Sequence, residues 1–591
     1  MWLLISAILV KIIGAIFKIP LTSILGPVGK SYYSTAYNLF IPVYQIALAG
    51  LPVAISKTVA KYVALGKFRD VRAVRKVAKR IFIITGVAGT VVIFALAYPY
   101  CLSISNTNAV YAILTVAPSV FFCCLMSSYR GYYNGLKNMI PTAASEVIEA
   151  LGKLIFGLAI AKIIIAVALD RAVPGATVFG LTVTESTTEA EIMSAIYPFA
   201  AAGGISGVTL GTVFSTAFLA LRHKIVGDKI THEELESSPE PRSNKALAKE
   251  LLAVAIPIVT STLIFNLINI IDSWSIQNRL AELISENSDI IGEMYASSLS
   301  GTLLEDWQNY LYGAYETAVD FKNLIPALTV TLGVSAIPVL SEAWTLKNKA
   351  AIKSGVETVL RMSMLIALPA GFGMAVLSEQ ILSILYYSSE ETMSAIPITS
   401  TVMSMYGVIV FIIAVSQPMM QLLQAIGKTK IPVISITIGA LLKVIINYFL
   451  ISIPSINIYG AVIGTFACYL VSVSINIIAL VKYTGVKINV VSVFFKPLLC
   501  AVLCALSAWG TQTLLSSLLS DVSFLTGRFN ADNVAAIIAV VVAVVVYCVA
   551  LAATKAIARE DVLSLPKGEK IAAFLEKHKI IKGSAVSVTE E

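Results

Sequence analysis

The chain has 591 residues, 57% hydrophobic and 13% charged, with a mean hydropathy of +0.84. Soluble domains carry about 25% charged residues, so this composition excludes one and marks a polytopic membrane protein. The formal net charge of +8 does not mark a nucleic-acid binder, because the basic residues gather in short segments between apolar spans.

Stretches long enough to cross a bilayer fall at 2–25, 37–64, 81–104, 109–130, 139–169, 192–221, 250–276, 316–343, 355–385, 395–426, 431–453, 460–481, 490–519 and 534–554. The predicted fold is all-α, with fourteen transmembrane helices. With the N-terminus inside, and with Arg130 at the end of its span counted with the following connection, 29 of the 43 Lys and Arg fall in the even-numbered connections and the C-terminal tail, and 4 in the odd-numbered ones. This asymmetry predicts two cytoplasmic termini in a plasma membrane, with Lys76, Lys245 and Lys579 inside and Asn106 and Asp289 outside.

The first two spans form a hairpin that carries Lys11, Lys18, Lys57 and Lys61. A lysine at the centre of a bilayer helix costs about 2.5–3.5 kcal/mol on insertion scales, so such residues are rare and mark sites. Lys11 and Lys18 are seven apart and share a helix face. Lys11 lies ~15 Å from the cytoplasmic end of its span, too deep for easy snorkelling. We read Lys11, Lys18 and Lys57 as lining a cationic, water-filled cavity, and Lys61 as a snorkelling residue.

Gly66–Arg80 carries seven basic charges, which suit either anionic headgroups or an ordinary stop-transfer loop. In the fifth span Glu146, Glu149 and Lys153 share a face, as a proton-responsive or sugar-contacting cluster or as a self-neutralising pair. The Ser237–Pro241 stretch marks a linker, 222–249. The outer segment 277–315 is acidic and ends in Trp307, Tyr310, Tyr312 and Tyr315, which read as a headgroup-level aromatic belt. Lys322, Arg361, Lys443 and Lys496 are further cations within spans.

The cysteines, Cys101, Cys123, Cys124, Cys468, Cys500, Cys504 and Cys548, lie in or beside apolar spans and form no evident disulfide or metal set. His223, His232 and His578 fall outside the spans, which excludes a histidine relay within the membrane.

The two sides of the linker resemble each other. LPVAISK (51–57) is similar to IPVLSEA (337–343), and GLKNMIPTAAS (135–145) to AIGKTKIPVIS (425–435). This predicts a lobe at 1–221, a linker at 222–249, a second lobe at 250–481, an extra helix pair at 490–554 and a cytoplasmic tail at 555–591. A repeat of this kind places a substrate site near the bilayer midplane.

The motifs KIIGAIFKIPL, GLPVAISK, YRGYYNGLKNMIPTAASEVIE, SAIPVLSEA and QLLQAIGK resemble those of the lipid II flippase MurJ and stage V sporulation protein B group. That group belongs to the multidrug/oligosaccharidyl-lipid/polysaccharide exporter superfamily. The resemblance implies a flippase that moves a polyprenyl-pyrophosphate-linked cell-wall precursor to the outer leaflet by alternating access, working as a monomer. Such an anion suits lysine amines, with Lys11, Lys18, Lys57, Lys322, Arg361, Glu146 and Glu149 as candidate contacts. It also implies that the last two spans form a groove for the lipid tail. Some relatives bind sodium, and Asp272, Asn447 and Thr465 match that site. Lys443 stands where those relatives have another oxygen ligand, so sodium or proton coupling stays open and no resident metal or cofactor is expected. A multidrug or cation antiporter is the competing transporter, disfavoured by the cation excess. A membrane glycosyltransferase or lipid phosphatase lacks the required carboxylate or histidine constellation, so no enzyme is expected.

Overall fold

The computed structural model describes residues 2–520, 522, 525–563, 568–577 and 581. Lys579, His578 and most of the far tail lie outside the described residues. The protein is an all-α, multi-pass membrane protein. A two-stranded hairpin, Thr177–Val178 paired with Leu181–Thr182, holds the described β-structure.

Among the described residues, twelve helical segments are long and apolar enough to cross a membrane. Fourteen were expected, and two features make up the difference. Helix α1 (Trp2–Ala64) holds the first two expected spans within one candidate of 57 residues. At 1.5 Å per residue that exceeds twice a ~30 Å hydrocarbon core. The break is at Gly26, whose φ of 61° and ψ of −178° suit a residue without Cβ, just before Pro27. The expected span 250–276 lies within a longer helix, α7 (Asn244–Met294), which is not among the twelve.

The chain packs as two compact units, Met1–Glu316 with Ile451–Asn457, and Thr317–Leu450 with Ile458–Glu591. The first unit contains α1, α2 (Phe68–Ser103), α3 (Val110–Gly135), α4 (Ile140–Asp170), α5 (Glu189–Val226), the short α6 (His232–Glu236), α7 (Asn244–Met294) and the short α8 (Ala296–Leu299). Helices α4 and α5 touch through glycine: a Cβ on Gly207 would lie 2.6 Å from the Gly157 Cα. Small residues of this kind bring membrane helices together where lipid supplies no hydrophobic drive. The linker is tied down. Asp70 accepts the Arg242 amide at 2.7 Å, and Glu250 receives both Lys61 at 2.7 Å and Arg242 at 2.9 Å. Lys61 therefore has a protein partner as well as access to the interface.

The segment after residue 276 is helical rather than looped: α7 continues to Met294 with a local break at Asn287. Helix α9 (Trp307–Thr345) begins in the first unit and ends in the second. Within the first unit a buried amide–hydroxyl network joins α1, α7, the start of α9 and the turn after α2. Thr35 donates to Gln277 at 2.9 Å, and Asn106 and Ser31 donate to Asn309 at 2.7 and 2.8 Å. Gln308 donates to the Ile104 carbonyl at 2.8 Å. Tyr310, Tyr312 and Tyr315 are buried in protein, and Tyr312 receives Asn38 at 3.3 Å. They are core residues and not the headgroup belt expected of them. Asn106, expected in an outer loop, has its side chain buried in the same network.

The second unit holds most of α9, then α10 (Lys349–Val376), α11 (Ser378–Tyr386), α12 (Glu390–Ser394), α13 (Ile396–Ala425), α14 (Lys430–Ile451), α15 (Gly460–Thr484), α16 (Lys496–Leu519), α17 (Ala531–Thr554), α18 (Arg559–Leu563) and α19 (Gly568–Lys577). Its helix ends repeat those of the first unit. After α3, Asn138 N–H donates to Tyr133 O and Lys137 N–H to Asn134 O. After α13, Lys428 donates to Leu423 O and Gly427 to Gln424 O. The ends of α1 and α9 share the same double bond pattern, Lys67 to Tyr62 and Asn348 to Ala343. These are Schellman-type ends, each closed by a residue at positive φ: Gly66, Lys137, Lys347 and Gly427.

Candidate functional site

On α1 the residues Ser6, Ile13, Phe17, Leu21 and Leu25 are buried, while Ile8, Ile12 and Ile16 are exposed. Helical spacing puts Lys11 and Lys18 in a row between these two stripes. Lys11 and Lys57 are exposed and Lys18 is half-buried. The row thus sits at the margin of packed protein, where an ammonium keeps access to water or to an anion.

Beside it α4 presents its charged face. Ser6 donates to Glu146 at 2.7 Å, which fixes the start of α1 against α4. Glu149 receives Tyr44 at 3.0 Å and Arg130 at 2.9 Å. Arg130, buried on α3, also donates to Ser145 at 2.8 Å. Lys153 lies over two rings of α1, 4.9 Å from the Phe17 centroid and 4.3 Å from that of Tyr37. Each such contact is worth ~0.5–2 kcal/mol, more where water is excluded. Glu149 therefore pairs with Arg130 across helices, and Lys153 takes aromatic partners. The structure brings Glu146, Glu149, Lys153 and the α1 residues Phe17 and Tyr37 into one polar and cationic group.

Sequence reasoning did not single out Arg130. It sits in the YRGYYNG motif near the end of a span, where an arginine resembles a topology signal. Lys30 was likewise passed over, and it is 1% exposed with its ammonium 5.7 Å from the Tyr33 centroid.

In the second unit Lys322 lies 4.9 Å from the centroid of the buried Tyr406. Arg361, a candidate substrate contact, is committed elsewhere. Its Nε and Nη2 each donate to Asp561 at 2.6 Å, and Nη1 donates to Ser492 at 3.2 Å. Lys496 donates to the Thr554 carbonyl at 2.8 Å, satisfying the end of α17. Asn447 and Thr465 are buried on the facing helices α14 and α15, where Gly464 gives the Asn447 carboxamide and the Lys443 stem room. Asp272, the fourth residue of the ion-site expectation, belongs to the first unit.

The second unit also contains an almost wholly apolar cavity of about 460 Å³, lined among others by Phe321, Pro369, Met374, Cys504, Val544 and Tyr547. Tyr547 turns its hydroxyl away, donating to the Leu365 carbonyl at 2.7 Å. The cavity therefore offers methyl, thiol and ring surface to whatever enters it. Helices α16 and α17, outside the repeated turns, supply one wall.

Comparisons with known proteins agree with this architecture. The family model described as lipid II flippase MurJ matches residues 324–530, and that of polysaccharide biosynthesis proteins matches residues 1–170. The lipid II flippase MurJ of Bacillus subtilis (strain 168) is 23% identical over 490 residues, 80% of each chain. Stage V sporulation protein B of the same organism is 22% identical over 78% of this chain and 79% of its own. A solved structure of lipid II flippase MurJ in an inward closed conformation superposes with a TM-score of 0.59 at 13% identity. It covers 92% of this chain and 98% of its own, and shows a shared fold.

Proposed function

We propose that this chain, a MurJ- and stage V sporulation protein B-like protein of the multidrug/oligosaccharidyl-lipid/polysaccharide exporter superfamily, flips a polyprenyl-pyrophosphate-linked cell-wall precursor between leaflets. Proteins it resembles are named as a lipid II flippase and as a multidrug transporter, and no bond is made or broken in this reading. The observation that carries it is the row of Lys11 and Lys18 at the edge of the packed face of α1, next to Lys153 and the Glu149–Arg130 pair. Ammonium groups held inside apolar helices suit a pyrophosphate, which they meet as compact charges. The apolar cavity beside α16 and α17 supports a place for part of the lipid tail.

In this reading the pyrophosphate rests among the lysines while the tail stays in apolar surroundings, and the two units rock in alternation. Both termini face the cytoplasm, following the 29-to-4 distribution of basic residues. Lys443 supplies internally the positive charge that sodium supplies in some relatives, so transport runs without sodium. The protein works as a monomer.

The test is rescue of a bacterium depleted of its own lipid II flippase, scored by enzymatic labelling of lipid II exposed outside the cell. Restored exposure is expected. A chain that inserts normally and restores none would overturn the substrate assignment.

A further inference from the structure

The end of the first unit that carries Gly66–Arg80 holds a second cationic group, separate from the one above. Tyr129, Tyr132 and Tyr133 of α3 surround the His223 ring of α5, with centroids at 5.9, 6.2 and 6.0 Å. Arg75 of α2 lies 5.8 Å from the Tyr132 centroid, and Arg222 of α5 lies 4.9 Å from that of Tyr133. A third arginine, Arg72, is already satisfied: Nε and Nη2 donate to the Asp228 carboxylate, both at 3.1 Å.

Asp228 is fully used. It also accepts the Tyr132 hydroxyl at 3.0 Å and the Ile230 amide at 3.2 Å. Arg72, Arg75, Arg222 and Asp228 are the charges that bear on His223. Three guanidiniums thus share one carboxylate, and that carboxylate is taken. Two donors are left over. Nε of Arg75 and Nη1 of Arg222 are buried and meet no acceptor among the described residues. Buried cationic donors without acceptors are rare in folded proteins, and each calls for an acceptor from elsewhere.

We propose that this cluster is a binding site for a phosphate group, held by Arg75 and Arg222. Arginine presents a planar fork that meets phosphate oxygens in pairs, and each fork is steadied here against a tyrosine ring. Residue 222 lies just past the expected span 192–221, which sets the site at headgroup depth. Lys76, Lys79, Arg80 and Lys224 are exposed on the same elements and add a general attraction for anions. The phosphate is that of an anionic membrane lipid or free phosphate. The site does not depend on the flippase reading.

The test uses the full chain in lipid-free detergent, titrated with phosphatidylglycerol, with inorganic phosphate, and with a phosphate-free neutral glycolipid. Bound lipid is read by native mass spectrometry and bound phosphate by the thermal midpoint. Selective binding of phosphatidylglycerol over the glycolipid is expected, weakened about fivefold by Arg75→Gln and by Arg222→Gln. Lys76→Gln with Lys79→Gln, both exposed and screened by solvent, should change it by less than about twofold. Binding of lipid that inorganic phosphate cannot displace identifies the headgroup as the source, and stabilisation by inorganic phosphate alone identifies free phosphate. Equal losses in the lysine and arginine variants, or none in the arginine variants, would overturn the proposal. Should a glutamine variant lose its monodisperse profile, Arg222→Lys decides, since it keeps the charge without the fork. Unchanged binding in that variant refutes a fork-held phosphate.

Discussion

Asp561→Ala removes one side of the pair that holds α18 against α10. The Arg361 side chain is 5% exposed and that of Asp561 1%. Two 2.6 Å bonds join them, and Asp561 also accepts the Ala558 amide at 2.8 Å. Truncation leaves a buried guanidinium facing the Ser492 hydroxyl at 3.2 Å. Breaking a buried pair from one side costs ~3–5 kcal/mol, whereas replacing both partners by packed apolar groups is often neutral. A chain of this size does not unfold in one step, so the cost should appear as local opening of the segment from residue 555 onward. At ~1.4 kcal/mol per tenfold, its opening constant should rise by about two to three and a half powers of ten. Native-state proteolysis, with the cleavage sites identified by mass spectrometry, measures that rise. Arg361→Met with Asp561→Leu should return the rate to within about tenfold of wild type and should keep flipping. A rise below about tenfold in Asp561→Ala would refute the energetic argument. A double variant that folds normally but no longer flips would show that Arg361 serves the substrate after all.

Lys11→Ala and Lys18→Ala should each severely reduce flipping at normal membrane levels, and full complementation by the double variant would remove both from the site. Glu149→Ala should lower the thermal midpoint, because Arg130 is left buried at a cost of ~3–5 kcal/mol, and Glu149→Ala with Arg130→Met should recover most of it. Outside the spans, burial raises the Asp228 carboxyl, but hydrogen bonds from Arg72 and Tyr132 outweigh that and hold it below the usual carboxylate range. Its contribution is therefore complete above the unfolded value of 3.8 and is lost as pH falls below it. Asp228→Asn should flatten that acid limb in a stability–pH profile, and an unchanged limb would assign it to other groups. Flipping in proteoliposomes should be nearly independent of sodium, and Lys443→Ala should create a dependence. A strong dependence in the wild type, with none gained in the variant, would refute the internal substitute.

The membrane class and the helical fold were legible because lipid forces long apolar runs, and even the break of the first hairpin is written as Gly26–Pro27. The similarity of GLKNMIP to AIGKTKIP reappears as matching hydrogen bonds at the ends of α3 and α13. Partners were less legible. Spacing of three and four within α4 suggested that Glu149 meets Lys153, yet the closer cation comes from α3, which helix arithmetic does not reach. Arg361 looked like a substrate contact because its carboxylate lies 200 residues further on. The tyrosines of α9 looked like a belt because composition near a span end does not say which side faces protein. The amide network left no trace at all, since Asn and Gln in an outer segment look like solvated loop.

That network has a further consequence for how the two ends of the first unit respond to salt. Its centre, Thr35, Asn106, Gln277, Gln308 and Asn309, carries no formal charge. The opposite end is fastened by Lys61, Arg242 and Glu250 and by Arg72 with Asp228, in half-exposed ion pairs. Raising ionic strength shortens the Debye length from ~10 Å at 0.1 M to ~3 Å at 1 M and weakens exposed ion pairs. Neutral amide bonds buried from solvent are indifferent to it. Salt therefore acts on this molecule as a one-sided solvent, loosening the ionic end and leaving the amide end fastened.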